Sequence, residues 1–358
     1  MTDSIRAIAN RLSLDAEQWE RFFAEKVKKR HRLVEGYIAF VNEMASKGLP
    51  PIFEGAHLAK LLSLSAVEFA RLTSQPEKHY RTFSIPKRGG GSRSITVPSP
   101  LLLRCQRWID WFILRKLPVH SAAHGYVAGK SNITNAEVHC GASGLICVDI
   151  LNFFGSIQQG QVTQLFFDVG YPPNVAYLLS QICCFSGSLP QGGASSPSLS
   201  NIVMLRLDSG LEKWASSRSL KYSRYVDDIT VSGKDLSLLD ISVIRSIINN
   251  SGYEVNNKKT RLQLGQKKVV TGISIGSGKL RLPREMRRRF KNEAFHMLKA
   301  LGGKLEDREP ADPIASDRVL GKVAYWRSVE AGSPRIESLL ANLQALNKKG
   351  FSAESSEK

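Results

Sequence analysis

Residues Ser223–Gly233 read SRYVDDITVSG. Tyr225, Val226, Ile229, Thr230 and Val231 favour strands, so Asp227 and Asp228 sit side by side inside an apolar run. Adjacent like charges repel, and a carboxylate is costly to bury unless a cation compensates. Asp149 ends a second apolar run, LICVDI at 145–150, which reads as a buried strand. Three carboxylates gathered at strand ends repel until divalent cations neutralise them. Mg²⁺ suits that task, because it takes oxygen ligands from one or two carboxylates plus substrate phosphates. Two such ions about 4 Å apart can clamp the attacking and leaving oxygens of a phosphoryl transfer. The plainer alternative is an Asp-Asp pair in a surface turn, and the rest of the chain must decide between them.

The 358 residues carry 50 Lys and Arg against 32 Asp and Glu, a net charge of +18. Such an excess points to a polyanionic partner, most commonly nucleic acid. No apolar run reaches the roughly 20 residues of a membrane span, and the N-terminus lacks the apolar stretch of a secretory signal. Five cysteines without C-x-x-C spacing read as reduced thiols rather than a zinc site, which sets the expectation of a cytoplasmic protein without a membrane partner.

Residues 1–75 read as a helical region. Asp15 with Gln18 and Ser65 with Glu68 form capping boxes. Tyr80–Pro100 reads as a β-hairpin whose tip, KRGGGSR, is glycine-rich and cationic. Helices are expected at 174–185, from Pro197 to Ser217 and at 238–250. A further hairpin is expected around Gly276–Gly278. From Arg284 to Lys348 the chain reads as helical and basic, with Met286, Phe290, Ala294, Met297 and Leu301 on one stripe. Residues 349–358 read as a disordered tail.

Several segments, in order, resemble the motifs of reverse transcriptases. LICVDILNFFGSI (145–157) resembles the first palm motif, and SLPQGGASSPSLSN (188–201) the LPQG motif. YSRYVDDITVSG (222–233) resembles the Y-x-D-D hairpin, and GYEVNNKKT (252–260) the G-x-x-x-N-x-x-K-T motif. TNAEVH (134–139), VTG (270–272) and HGYVAGKS (124–131) resemble segments that mark the bacterial retron enzymes. Retron enzymes usually carry Ala in Y-A-D-D, where this chain has Val226.

The resemblance implies an α+β right-hand polymerase with an antiparallel palm sheet. Fingers and palm would span 76–283 and a helical thumb 284–348, without a separate RNase H or endonuclease domain. It implies RNA-templated addition of dNTPs assisted by two Mg²⁺, with Mn²⁺ able to substitute. Asp149, Ile150, Asp227 and Asp228 would form the metal site, and Lys259 would act as general acid for pyrophosphate. Phe154 would be a steric gate against the ribose 2′-hydroxyl. Phe153 beside it is grouped with the nucleotide site and also reads as core. Lys87, Arg93 and Gln191 would contact the nucleotide, with Gly192 and Gly193 allowing close backbone approach. Tyr225, Val270, Thr271 and Gly272 would meet primer and template, as would Arg287, Arg288 and Lys291 on the thumb. Asn135 and His139, four apart, share a helix face and would contact structured RNA, or else pair within the protein.

As a retron enzyme the chain would bind a cognate noncoding RNA of msr–msd type. It would prime from the 2′-hydroxyl of a guanosine and make branched multicopy single-stranded DNA. It would serve antiphage defence with a separate effector or toxin. Two alternatives remain at this level: a group II intron-like or diversity-generating reverse transcriptase, and an RNA-binding scaffold with vestigial catalysis.

Overall fold

The computed structural model describes residues 19, 31–86, 90–302 and 314–354. The expected Asp15–Gln18 cap and Lys87 lie outside those residues. Among the described residues, eight strands occur in chain order: β1 Tyr80–Pro86, β2 Ser92–Pro98, β3 Gly144–Asp149, β4 Lys221–Tyr225, β5 Asp228–Gly233, β6 Arg261–Gln263, β7 Val269–Val270 and β8 Ile273–Ser274. The chain divides into two compact units, each built from separated stretches: residues 1–121, 150–209 and 251–253 in one, and 122–149, 210–250 and 254–358 in the other.

The first unit contains helices His31–Ser46, Gly55–Leu61 and Ala66–Ser74. The last of these starts at the expected capping box: the Ser65 hydroxyl accepts from the Glu68 amide, and the Ser65 amide donates to the Glu68 carboxylate. β1 and β2 pair antiparallel from Tyr80↔Pro98 to Pro86↔Ser92. Helix Pro100–Phe112 follows, capped by Ser99 and opened by Pro100, whose missing N–H costs nothing in a first turn. It buries Leu102, Cys105, Trp108 and Ile109. Helix Pro173–Cys183 packs against it and against helix Gln159–Val169. The single helix expected from Pro197 to Ser217 is two, Ser196–Val203 and Leu205–Ser217.

The second unit is organised by a four-stranded antiparallel sheet in the order β4-β5-β3-β6. Leu145, Ile146 and Val148 of β3 are buried, as are Ile229 and Val231 of β5. β7 and β8 form a second hairpin around Thr271-Gly272. Both turn residues have positive φ, 44° and 82°, the pattern of a two-residue turn that matches strand twist. The chain reverses again before the Ser274↔Arg281 bridge. The one hairpin expected around Gly276–Gly278 is therefore two successive reversals.

Helices Arg284–Gly302, Ala315–Val329 and Pro334–Glu354 pack together. Phe290 and Ala294 of the expected stripe are buried with Val319, Val323, Trp326, Ile336, Leu340 and Leu343, and Met286 and Met297 lean on the same core. The last helix continues through residues 349–354, so that part of the expected disordered tail is helical. No described helix is long and apolar enough to cross a membrane.

Candidate active site

Strand register brings the distant carboxylates together. Asp149, last in β3, is the partner of Asp228, first in β5, and Asp228 is in turn the partner of Tyr225 in β4. Directly paired residues project to the same face of an antiparallel sheet, so Asp149 and Asp228 share one. Asp227 occupies the two-residue turn with Val226; Asp228 begins the strand and is not itself in the turn. Val226 has φ +62°. Positive φ at the first central residue alone is the type II′ pattern, which normally takes glycine there. A β-branched residue in that conformation carries strain of order 1–3 kcal/mol.

Asp149 is buried, and its two carboxylate oxygens are engaged from one turn. Asn256 Nδ2 donates to Oδ1 at 3.0 Å, and Lys259 Nζ to Oδ2 at 2.6 Å. The Asn256 amide also donates to the Asp149 carbonyl at 2.8 Å, while the Lys259 and Thr260 amides close the turn onto the Asn256 carbonyl. Partial burial works against the Lys259 ammonium, but the hydrogen bond and charge of Asp149, backed by Asp227 and Asp228, outweigh it and raise its pKa. Held this way, Lys259 stays protonated, and serving as the expected proton donor requires release from Asp149. Asn256 carried no role in the sequence reading. Its signal was its spacing, three residues before Lys259 on the same turn.

Asp228 is pushed up to about 6, first by loss of hydration among its neighbours and then by the Asp227 and Asp149 charges. Asp228 is nevertheless exposed on the sheet's end, so water screens part of this crowding. Among the described residues, no three His, Cys, Asp or Glu side chains are gathered closely enough to hold an ion alone. The oxygen donors suit Mg²⁺ in its common mode, with one or two carboxylates completed by substrate phosphates. Ile150, with its apolar buried side chain, has only its backbone carbonyl to offer.

Gln191 and the glycines beside it belong to the first unit. The Thr96 amide donates to the Gln191 carbonyl at 2.9 Å. A Cβ on Gly192 would meet the Thr96 carbonyl oxygen at 2.6 Å, and one on Gly193 would meet Ser196 Oγ at 2.6 Å. Close approach by protein backbone therefore explains Gly192 without invoking a nucleotide. The loop is held by Gln106, which the sequence reading passed over. It donates to Tyr80 Oη and the Ile182 carbonyl and accepts from the Ala194 amide. A glutamine inside the apolar stripe of Pro100–Phe112 was the available signal. Arg93 is exposed on β2, Phe153 is buried core, and Phe154 is half-buried.

Asn135 and His139 are fully buried, so neither side chain is open to RNA. His139 Nε2 lies 2.7 Å from Ser223 Oγ and Nδ1 lies 2.7 Å from Ser232 Oγ. It thus ties β4 to β5 in the hairpin that carries the Val226-Asp227 turn, and the pairing alternative for this residue is the one observed. Burial, with smaller contributions from Lys221 and His124, lowers its pKa to about 3. Its neutral form is favoured in the fold and its charged form in the unfolded chain. Stability from this residue is therefore full above about pH 6.5 and is lost as pH falls from there toward about 3. His139→Ala strands two buried hydroxyls and should cost about 2–4 kcal/mol, read as a lower urea midpoint at unchanged slope.

The VTG segment is similarly occupied. Val270 is buried, and Thr271 Oγ1 donates to the Asn132 carbonyl at 3.1 Å, so the turn Thr271-Gly272 is tied to helix Asn132–Val138. Tyr225 is half-buried. Arg288 and Lys291 are exposed, whereas Arg287 is half-buried with Nε 3.8 Å from Glu330. Arg287 therefore faces the protein more than a ligand.

Residues 85–297 match the family model described as reverse transcriptase (RNA-dependent DNA polymerase). The chain is 31% identical to the retron Mx65 reverse transcriptase of Myxococcus xanthus, over 78% of this chain and 71% of that one. It is 30% identical to the retron Ec86 reverse transcriptase of Escherichia coli, over 84% and 92% respectively. Among solved structures, a sicinivirus RNA-dependent RNA polymerase aligns over 79% of this chain and 66% of that one, at 13% identity and TM-score 0.45. At that level the family model and the two relatives carry the assignment.

Proposed function

The chain belongs to the reverse transcriptase family, the RNA-directed DNA polymerases, and within it to the retron enzymes; from that premise we propose that it copies a structured noncoding RNA into DNA joined to that RNA through a 2′-hydroxyl. The observation that supports catalysis in this chain is the register Asp149↔Asp228 with Asp227 next in the turn. When bound, two Mg²⁺ ions would supply charge neutralisation, a more acidic priming hydroxyl and a steadied pyrophosphate. Asp149, Asp227 and Asp228 would hold them, with the Ile150 carbonyl available beside Asp149.

The chain's own groups divide the remaining work. Asn256 orients the Asp149 carboxylate, and Lys259 balances its charge. Phe154 limits the sugar by clash with a 2′-oxygen, a role that rests on resemblance and on its place five residues after Asp149. Arg93 and Lys87 offer cations to the triphosphate, and Arg288 and Lys291 to the backbone of the RNA–DNA hybrid. An A-like hybrid is met through phosphates and sugar hydroxyls rather than base edges. By the same resemblance, the product is multicopy single-stranded DNA, and the ribonucleoprotein restrains a separate effector in antiphage defence.

The test is the nucleic acid that copurifies with the protein expressed together with its native flanking DNA. A molecule in which debranching enzyme frees DNA from RNA is the expected result. Linear DNA unaffected by debranching would overturn the 2′-priming proposal and favour the intron-like alternative.

A further inference from the structure

The catalytic turn is clamped from behind by a segment with no assigned role. Residues 122–126 run alongside β4: Ala123 bridges Arg224 in parallel, the Arg224 amide donates to the Ala122 carbonyl at 2.9 Å, and the His124 amide donates to the Arg224 carbonyl at 2.8 Å. Arg224 is the largest fully buried side chain of the described residues, and its Nη1 donates to the Val226 carbonyl at 3.0 Å. Gly125 lies directly against the turn. A Cβ there would meet Val226 Cγ2 at 2.6 Å and the Val226 backbone nitrogen at 2.8 Å. The clamp is itself anchored, since His124 Nδ1 lies 2.8 Å from Thr134 Oγ1 of helix Asn132–Val138.

We infer that Gly125 and Arg224 are positioning residues for catalysis: Gly125 by leaving room for the turn and Arg224 by holding the Val226 carbonyl. Together they fix the left-handed Val226 and so the direction in which Asp227 and Asp228 leave the turn. A strained conformation persists only where its surroundings over-determine it, and here the Arg224 hydrogen bond holds the Val226 carbonyl while Gly125 lies so close to the Val226 side chain and backbone nitrogen that no Cβ fits between them. The inference rests on the catalytic reading above, because it assigns these residues a task only if that turn carries the metal-binding carboxylates. It also accounts for Val226 in place of the usual Ala, since the larger side chain fills the space that Gly125 leaves open.

The test compares wild type with Gly125→Ala, Arg224→Met, Arg224→Lys and the double variant Gly125→Ala/Val226→Ala. Hydrogen exchange of the 223–229 segment is measured in metal-free protein, and RNA-templated dNTP incorporation is measured across Mg²⁺ concentration. Gly125→Ala should speed exchange in this segment about 10-fold or more, because the turn must move off its Cβ. It should also lower kcat on the order of 10²-fold, the effect of roughly 1 Å of misplacement, and raise the half-saturating Mg²⁺ concentration. The double variant should recover part of each effect, since it removes the Cγ2 contact and keeps the backbone one. Arg224→Lys should retain more activity than Arg224→Met, because an ammonium can still donate to the Val226 carbonyl.

A purely structural role would lower the active fraction and leave the Mg²⁺ midpoint and the local exchange unmoved; that result overturns the inference. If Gly125→Ala fails to fold, the Arg224 pair decides by the same two readouts. If wild type extends no primer while Gly125→Ala still loosens the segment, the catalytic reading fails and the clamp remains as structure only.

Discussion

Asp227→Asn and Asp228→Asn are each expected to abolish RNA-templated primer extension while leaving the protein folded. Removing a carboxylate from a two-ion site sacrifices transition-state charge stabilisation of about 4 kcal/mol, or roughly 10³-fold in rate. The structure adds an opposite expectation for stability. Asp228 is crowded by its surroundings and by Asp227 and Asp149, which raises its pKa to about 6. A carboxylate whose folded pKa lies above its unfolded value stabilises the fold below about pH 4, and that contribution disappears as pH rises through about 6. Metal-free Asp228→Asn should therefore melt no lower than wild type at pH 7 and should lack this decline. In wild type, the half-saturating Mg²⁺ concentration should climb as pH falls below about 6, because protonated Asp228 is a poor ligand. Extension by both variants at the wild-type rate would end the catalytic reading and leave the scaffold alternative.

The second large effect concerns binding. A protein that neutralises 6–10 phosphates loses about 10³–10⁵ in affinity between 50 and 200 mM salt. With a net charge of +18, this chain is expected to fall in that range for structured RNA, measured by filter binding or fluorescence anisotropy. The exposed cations of helix Arg284–Gly302 allow a sharper form. Neutralising Arg288 and Lys291 together should reduce the log–log salt slope by about 1.5–2, because each exposed cation releases one counterion. Arg287→Gln should leave the slope nearly unchanged and lower the melting temperature, since Arg287 is half-buried near Glu330. A flat salt response would remove the electrostatic argument for an RNA partner.

Much of the fold and of the site can be read along the chain. Alternation and cationic glycine turns announced the β1–β2 hairpin, and a stripe of Met286, Phe290, Ala294 and Met297 announced the packing of the basic C-terminal helices. The ordered motifs announced the polymerase family, because residue type and spacing survive in a one-dimensional record. Roles that depend on what lies behind a residue did not survive in it. A His four residues from an Asn is compatible with RNA or with two buried serines, and only packing chose the serines for His139. Gly192 next to Gln191 suggests room for a nucleotide until the Thr96 carbonyl is seen to fill it.

From its sequence alone, this protein was determined to be a basic α+β polymerase with three carboxylates and a lysine set in recognisable motifs, because local patterning and charge are properties of the chain itself. Tertiary structure alone decided that Asp149 faces Asp228, that Lys259 and Asn256 hold Asp149, and that Gly125 and Arg224 close on Val226. Those pairings join residues up to 110 positions apart, and they follow from strand register and burial, which no local stretch encodes.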